Sequence, residues 1–139
     1  MFPKKVYYGL RYVLALSVLA DDEHIGVAEV AEREQLPVKF LEAIAVALRK
    51  RGVVNVKRGA GGGYYLAKAL SEITLYDIVS VLDDKSEKEL PVTGSNAEKA
   101  VGKYLNDAKR SYELLLNDCK LDKLKALLDE QNEQIMYYI

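Results

Sequence analysis

Apolar residues recur at helical spacing over 8–20, where Tyr8, Tyr12, Ala15, Leu16 and Leu19 fall on one face. Asp21, Asp22, Glu23 and His24 break that pattern, and Gly26 is placed to cap a short second helix over 27–34 (VAEVAERE). Pro37 marks a new start, because its fixed φ suits the first turn of a helix. The spacing predicts a third helix over 38–51, with Phe40, Leu41, Ile44, Ala45 and Leu48 on one face and Gly52 as its C-terminal cap. Alternation over 53–57 (VVNVK) and again over 64–67, with a glycine-rich loop between, predicts a β-hairpin. Helical spacing returns over 73–82 (ITLYDIVSVL). Residues 83–96 are polar, carry Pro91, Gly94 and Ser95, and read as a connector.

From Ala97 the pattern narrows. Val101, Leu105, Ala108, Tyr112, Leu115 and Cys119 succeed one another at intervals of 4, 3, 4, 3 and 4, the seam of one long helix. So narrow a seam packs on another long helix, which in this short chain means a second subunit; the competing reading is packing on the same subunit's core. Leu121, Leu124, Leu127 and Leu128 predict a last helix that ends in the apolar tail 136–139.

At 139 residues the chain makes one domain, or one domain with an extension, and its 50% hydrophobic residues suffice for a core. A net charge of −1 does not by itself point to nucleic acid, but the distribution changes that picture. Residues 1–68 carry 11 basic and 7 acidic side chains, while the remainder carries 9 and 14. A basic half joined to an acidic half fits a nucleic-acid-binding part joined to something else. The single cysteine, Cys119, excludes a disulfide framework within the chain and fits a reducing cytoplasm. No run is long enough to predict a membrane span. The stretch 13–20 (VLALSVLA) behind Lys4 and Lys5 has some look of a signal peptide, but Arg11 lies against it and helical periodicity runs through it, so none is expected.

The hairpin loop, RGAGGGYYL, holds four glycines in five residues. A P-loop needs Lys-Ser or Lys-Thr after its last glycine, and here Tyr64 and Tyr65 stand instead. A dinucleotide loop counted from Gly59 has glycine at its third position, Gly61, but Tyr64 at its sixth, and the segment beyond it is strand-like rather than helical. A nucleotide site is therefore not expected. The segments 27–34 and 38–51, joined by a tight turn, have the proportions of a helix-turn-helix. Ala31 is small where the helices must approach, and Leu41 is the buried contact on the second. The hairpin behind it reads as a wing. Arg58 at its tip is succeeded by residues with little or no side chain, a shape slim enough for a minor groove, whose negative potential attracts arginine. From the loop alone, a flexible hairpin with a solvated arginine is an equal reading.

Together the motifs LRYVLAL, VAEVAERE, FLEAIAVALRKRGVV, VKRGAGGGYYLA and ITLYDIVSVLDD resemble the winged-helix domain of the Rrf2 family of bacterial transcription regulators, strongly to Asp84 and loosely beyond. The resemblance implies a mainly α fold with a small β-hairpin wing. It would comprise a winged helix-turn-helix DNA-binding domain at 1–84, a connector at 85–96, and a dimerisation helix with a C-terminal helix at 97–139. It also implies a homodimer on double-stranded DNA with dyad symmetry. Glu42 matches the family's base-reading glutamate, and a carboxylate accepts a hydrogen bond from cytosine N4. Arg58 matches the wing arginine. Lys5, Tyr8, Lys39, Arg49 and Lys57 are candidates for phosphate contact, which positions without specifying, and the wing glycines Gly59, Gly61 and Gly62 complete the expected DNA-binding set as the slim part of the loop. Arg49, Lys50 and Arg51 have a second reading as complements to a helix C-terminus.

Departures from the family pattern carry equal information. Many members hold an iron–sulfur cluster on three cysteines between the two parts. Here residues 90–105 contain no cysteine and no histidine, Cys119 stands alone on the seam, and His24 lies in another segment. No cofactor or metal is expected. Gln35 stands where a glycine is usual in the turn, Ala60 where proline is common in the wing, and Pro37 where a serine usually caps the recognition helix. No nucleophile–base pair is present, so an enzyme is not expected. The expected function is a cluster-less, homodimeric repressor in the cytoplasm. Two alternatives remain: a regulator switched through Cys119, whose ordinary role would be packing, and a dimeric interaction module without specific DNA binding. The sequence names no effector.

Overall fold

The computed structural model describes residues 1–84 and 88–137, with side chains described up to Gln134. It holds six α-helices and one antiparallel hairpin among those residues. Helix α1 (Lys4–Ser17) starts a turn earlier and ends sooner than its periodicity suggested. Pro3 stands at its N-cap and its carbonyl accepts from the amides of Val6 and Tyr7, so the first turn forms without apolar spacing. Helices α2 (Val27–Glu34) and α3 (Val38–Arg51) lie where the punctuation by Gly26, Pro37 and Gly52 placed them. Gly52 adopts φ 83°, a left-handed cap that suits glycine.

Strands β1 (Val54–Lys57) and β2 (Gly63–Leu66) pair with Lys57 opposite Gly63 and Val54 opposite Leu66. A third segment joins them: Ile25 and Tyr64 exchange both backbone hydrogen bonds, at 3.0 and 2.8 Å. A 3-10 turn (Leu70–Glu72) then leads to α4 (Leu75–Leu82). Ile73, expected inside that helix, lies outside it. Thr74 is the N-cap, its hydroxyl accepting from Asp77 N–H at 3.1 Å while Asp77 accepts from Thr74 N–H at 2.9 Å. This reciprocal capping box fixes the helix start.

Helix α5 (Asn96–Asp118) is 23 residues long and α6 (Asp122–Tyr137) comes after a short turn. That turn is stitched to the start of α4. Leu75 N–H donates to Cys119 O at 2.8 Å, and Leu121 N–H donates to Ile73 O at 2.9 Å. The core runs from Val6, Tyr12, Val13 and Leu16 of α1 through Leu41, Ile44 and Leu48 of α3 to Ile78 of α4, and Leu116 and Leu121 join it. Gly9 is buried where α1 meets α4, and a Cβ there would require the Leu82 side chain to move. Of the expected apolar tail 136–139, Tyr137 ends α6 and residues 138–139 lie outside the described residues.

Candidate nucleic-acid interface

Helix α2 meets α3 through Val30, Ala31 and Leu41, all buried, as the small residue and its buried partner predicted. The turn between them rests on Gln35 at φ 54° and ψ 49°, a left-handed conformation on a residue with a Cβ. Its amide donates back to the last turn of α2, to Ala31 O and Glu32 O. Arg11 Nη2 donates to Glu34 O at 2.7 Å and so closes the same helix end from α1.

The buried side of α3 is Leu41, Ile44, Ala45 and Leu48. Phe40, expected on that side, is instead 45% exposed, with its ring edge-on to Tyr8 at 5.9 Å. One turn of helix separates position 40 from 44 on the flank of the buried stripe, which is why a five-residue face overreached. The outer side carries Lys39, Glu42, Ala43, Val46, Arg49 and Lys50, all exposed. Pro37 at the N-cap offers no side-chain cap bond.

At the wing, Lys57 and Arg58 are exposed at the end of β1. Gly59 and Gly61 have φ 104° and 73°, conformations that favour glycine. The Gly62 amide is committed inside the loop, donating to Gly59 O at 3.0 Å. The Gly61 carbonyl is held by the His24 ring Nε2. Gly63 is buried because Ile25 crosses it, and a Cβ there would stand 2.5–2.8 Å from the Ile25 backbone. The side chains of Lys39, Glu42, Arg49, Lys57 and Arg58 make no hydrogen bond or ion pair among the described residues, and so project unpaired. Lys5 differs: its Nζ lies 3.4 Å from Asp84 Oδ2. Tyr8 is half-buried between Tyr7 and Phe40. Arg51 faces away from this set, toward Asp77.

This arrangement of α2, turn, α3 and hairpin agrees with a family model described as "Iron-dependent Transcriptional regulator", which matches residues 2–126. The chain belongs to the Rrf2 family. An HTH-type transcriptional regulator of Synechocystis sp. is 36% identical over 83 residues, 60% of this chain and 56% of that protein. Protein rrf2 of Nitratidesulfovibrio vulgaris is 34% identical over 85 residues, 61% and 55% of the two chains. The aligned stretch thus spans about half the length of these curated relatives. Among solved structures, IscR of T. potens matches with a TM-score of 0.66 and 30% identity over 99% of this chain and 96% of that one. CymR, the global cysteine regulator of B. subtilis, matches with 0.66 and 26%, over 91% and 97%. The Synechocystis protein and CymR are named as regulators, and none of the four is named as an enzyme.

The iron in that description can be set against the residues present, and they do not fit a thiolate-held cluster. The connector lies on α5 through Asn106, which is buried and both accepts from Leu90 N–H and donates to Leu90 O, each at 2.8 Å. Pro91 O comes within 3.0 Å of where a Gly102 Cβ would stand. Amide, proline and glycine occupy this region where thiolates would be required. No group of three or more His, Cys, Asp or Glu residues able to hold a metal occurs among the described residues.

Cys119 requires a correction. The seam spacing placed it on the long helix as a packed small residue, but α5 ends at Asp118 and Cys119 is its exposed cap. Its Sγ donates to Leu115 O at 3.4 Å. Tyr112 packs on the chain's own core, whereas Val101 (57% exposed), Leu105 (46%) and Leu115 (62%), with Ala108, stay uncovered. Helix α5 instead packs inward through Gly102, Asn106 and Leu116. No described helix is long and apolar enough to cross a membrane.

Proposed function

We propose that the chain is a sequence-specific DNA-binding transcription regulator that works as a homodimer, without an iron–sulfur cluster, and represses by occupying its operator in the cytoplasm. The observation that carries this reading is the set of unpaired side chains, Lys39, Glu42 and Arg49 on α3 and Lys57 and Arg58 on the wing, displayed by a helix-turn-helix whose inner face is fully committed to the core. Helix α3 enters the major groove, where Glu42 accepts from cytosine N4. Arg58 enters the adjacent minor groove. Lys39, Arg49 and Lys57, with Tyr8 and Lys5, set the register on phosphates. For Lys5 this means leaving the exposed Asp84, an ion pair of small value. The uncovered stripe on α5 supports pairing with a second copy. Residues 1–84 then form the DNA-binding unit, 85–96 the connector and 97–139 the dimerisation unit.

Selection of bound duplexes from a random library tests the reading. Arg58→Ala should then weaken binding to the selected sequence by about 1–3 kcal/mol while leaving the fold intact. Unchanged affinity removes the wing assignment. Equal affinity for all sequences would favour an interaction module.

One observation supports a second reading, regulation through Cys119: within the single chain the thiol is exposed, at the turn that joins the α5 cap to the start of α4. DNA release by oxidant that persists in Cys119→Ser excludes it.

A further inference from the structure

The outer face of α3 holds more than charges. Lys39, Ala43, Val46 and Lys50 lie at intervals of 4, 3 and 4, all exposed, and form the stripe opposite the buried Leu41, Ile44 and Leu48. Val46 is 48% exposed and is not among the residues that make up the core. Phe40 is drawn aside by Tyr8 and Ala47 is partly buried, so the apolar centre of this face is Ala43 with Val46. A lysine stands at each end of the stripe, and Glu42 stands beside its centre.

We infer that Ala43 and Val46 read thymine, by packing on the 5-methyl groups of one or two thymines next to the cytosine that Glu42 contacts. The inference rests on the DNA-binding reading above. At 1.5 Å per residue the stripe spans about 16 Å, against a major groove about 12 Å wide. Its terminal lysines therefore reach the phosphates on either side while its centre lies over base edges. Those edges are dominated by polar donors and acceptors, and the thymine methyl is the one apolar group that projects from them. An apolar patch set on guanine, adenine or cytosine edges would desolvate polar atoms and return no hydrogen bond, which disfavours them. Set on thymine methyls, it removes apolar surface from water on both partners. Charge at the ends, apolar side chains at the centre and a carboxylate beside them thus specify cytosine flanked by thymine.

Replacing thymine by uracil deletes the methyl and leaves every hydrogen-bonding group in place. In the sequence selected by the native protein, each half-site thymine is replaced in turn and affinity is measured. Removing a contacted methyl should weaken binding about fourfold, from the transfer energy of one buried carbon group. Val46→Ala should lose that sensitivity at one position and keep it elsewhere, with an unchanged melting temperature because the side chain is exposed. Half-sites without thymine, or affinity indifferent to uracil at every position, would overturn the inference and leave the DNA-binding reading standing. Absence of any preferred sequence would overturn both.

Discussion

Arg51, the last residue of α3, and Asp77, in the first turn of α4, are joined by two hydrogen bonds: Nε and Nη2 of the guanidinium lie 3.2 and 3.0 Å from Oδ1. The other carboxylate oxygen accepts from Thr74 N–H and faces Lys68 Nζ at 4.0 Å. Asp77 thus holds the end of α3 against the element on which α5 packs. The guanidinium also lies 5.6 Å from the Tyr76 ring centre, so its orientation is fixed from two sides.

That pairing makes stability depend on pH. Burial pushes the Asp77 carboxyl up, but the Thr74 amide, the Arg51 hydrogen bond and the charges of Lys68 and Arg51 outweigh it and hold it below its ordinary value of 3.8. A carboxyl depressed in the folded state stabilises fully above its unfolded value and loses that contribution as pH falls through the folded one. Asp77→Asn should cost about 1–3 kcal/mol at neutral pH, because a part-buried guanidinium and a buried amide lose a charged acceptor. The gap between variant and native should close as urea denaturation is repeated below pH 4. A constant gap down to pH 2 would show that the lost stability is packing.

Gln35 offers the reverse case. A residue with a Cβ in the left-handed region carries a strain of roughly 1–2 kcal/mol that glycine avoids. Gln35→Gly should therefore raise stability, by up to about 1 kcal/mol after the greater freedom of the unfolded glycine is subtracted. A lower melting temperature would mean that the Gln35 side chain contributes more than the turn geometry reveals.

Gly63 is set by a backbone rather than by a side chain. Gly63→Ala places a methyl against Ile25 N, C and O, none of which can change rotamer. The bridge between Ile25 and Tyr64 should open, with faster amide exchange at both, and the variant should lose stability by at least about 1–3 kcal/mol. Unchanged exchange at Ile25 would place the wing's support elsewhere.

The contrast between these residues shows what the sequence could reveal. Bounds of α2 and α3 were legible because Gly26, Pro37 and Gly52 act locally. The wing was legible from its glycines and its distance from α3, and Arg58 from its place at the tip. The Thr74–Asp77 box is equally local, but Ile73 continues the apolar spacing across it and hides the helix start. Contacts between distant segments leave no such trace. The strand-like role of Ile25, the Asn106 clamp on Leu90 and the stitching of Cys119 to Leu75 arise from tertiary packing. Heptad arithmetic continues through Cys119 although the helix does not, because spacing counts residues and cannot see the turn. Ala43 and Val46 carry no signal of their own, because apolar residues on a helix are ordinarily assigned to its inner face.

The exposed stripe of α5 yields the last prediction. Val101, Leu105, Ala108 and Leu115 lie to one side of the face that packs on α4, and they leave a row of apolar side chains in water on a helix about 33 Å long. Scattered exposed residues need no explanation, but four on one side of a helix, at seam positions interrupted only by the core-packed Tyr112, do. If a second copy covers it, Leu105→Lys with Leu115→Lys places two charges within that contact. Sedimentation should show a dimer for the native chain and a monomer for the variant at micromolar concentration. Because both side chains are about half exposed or more within one chain, the monomer should keep its helical circular dichroism. The variant should also lose most of its operator affinity, since one half-site contact replaces two. A native chain that sediments as a monomer up to high micromolar concentration would reject the seam as a dimer contact, and a variant that still dimerises would place the contact on another face, such as that of the exposed Tyr104 and Leu114.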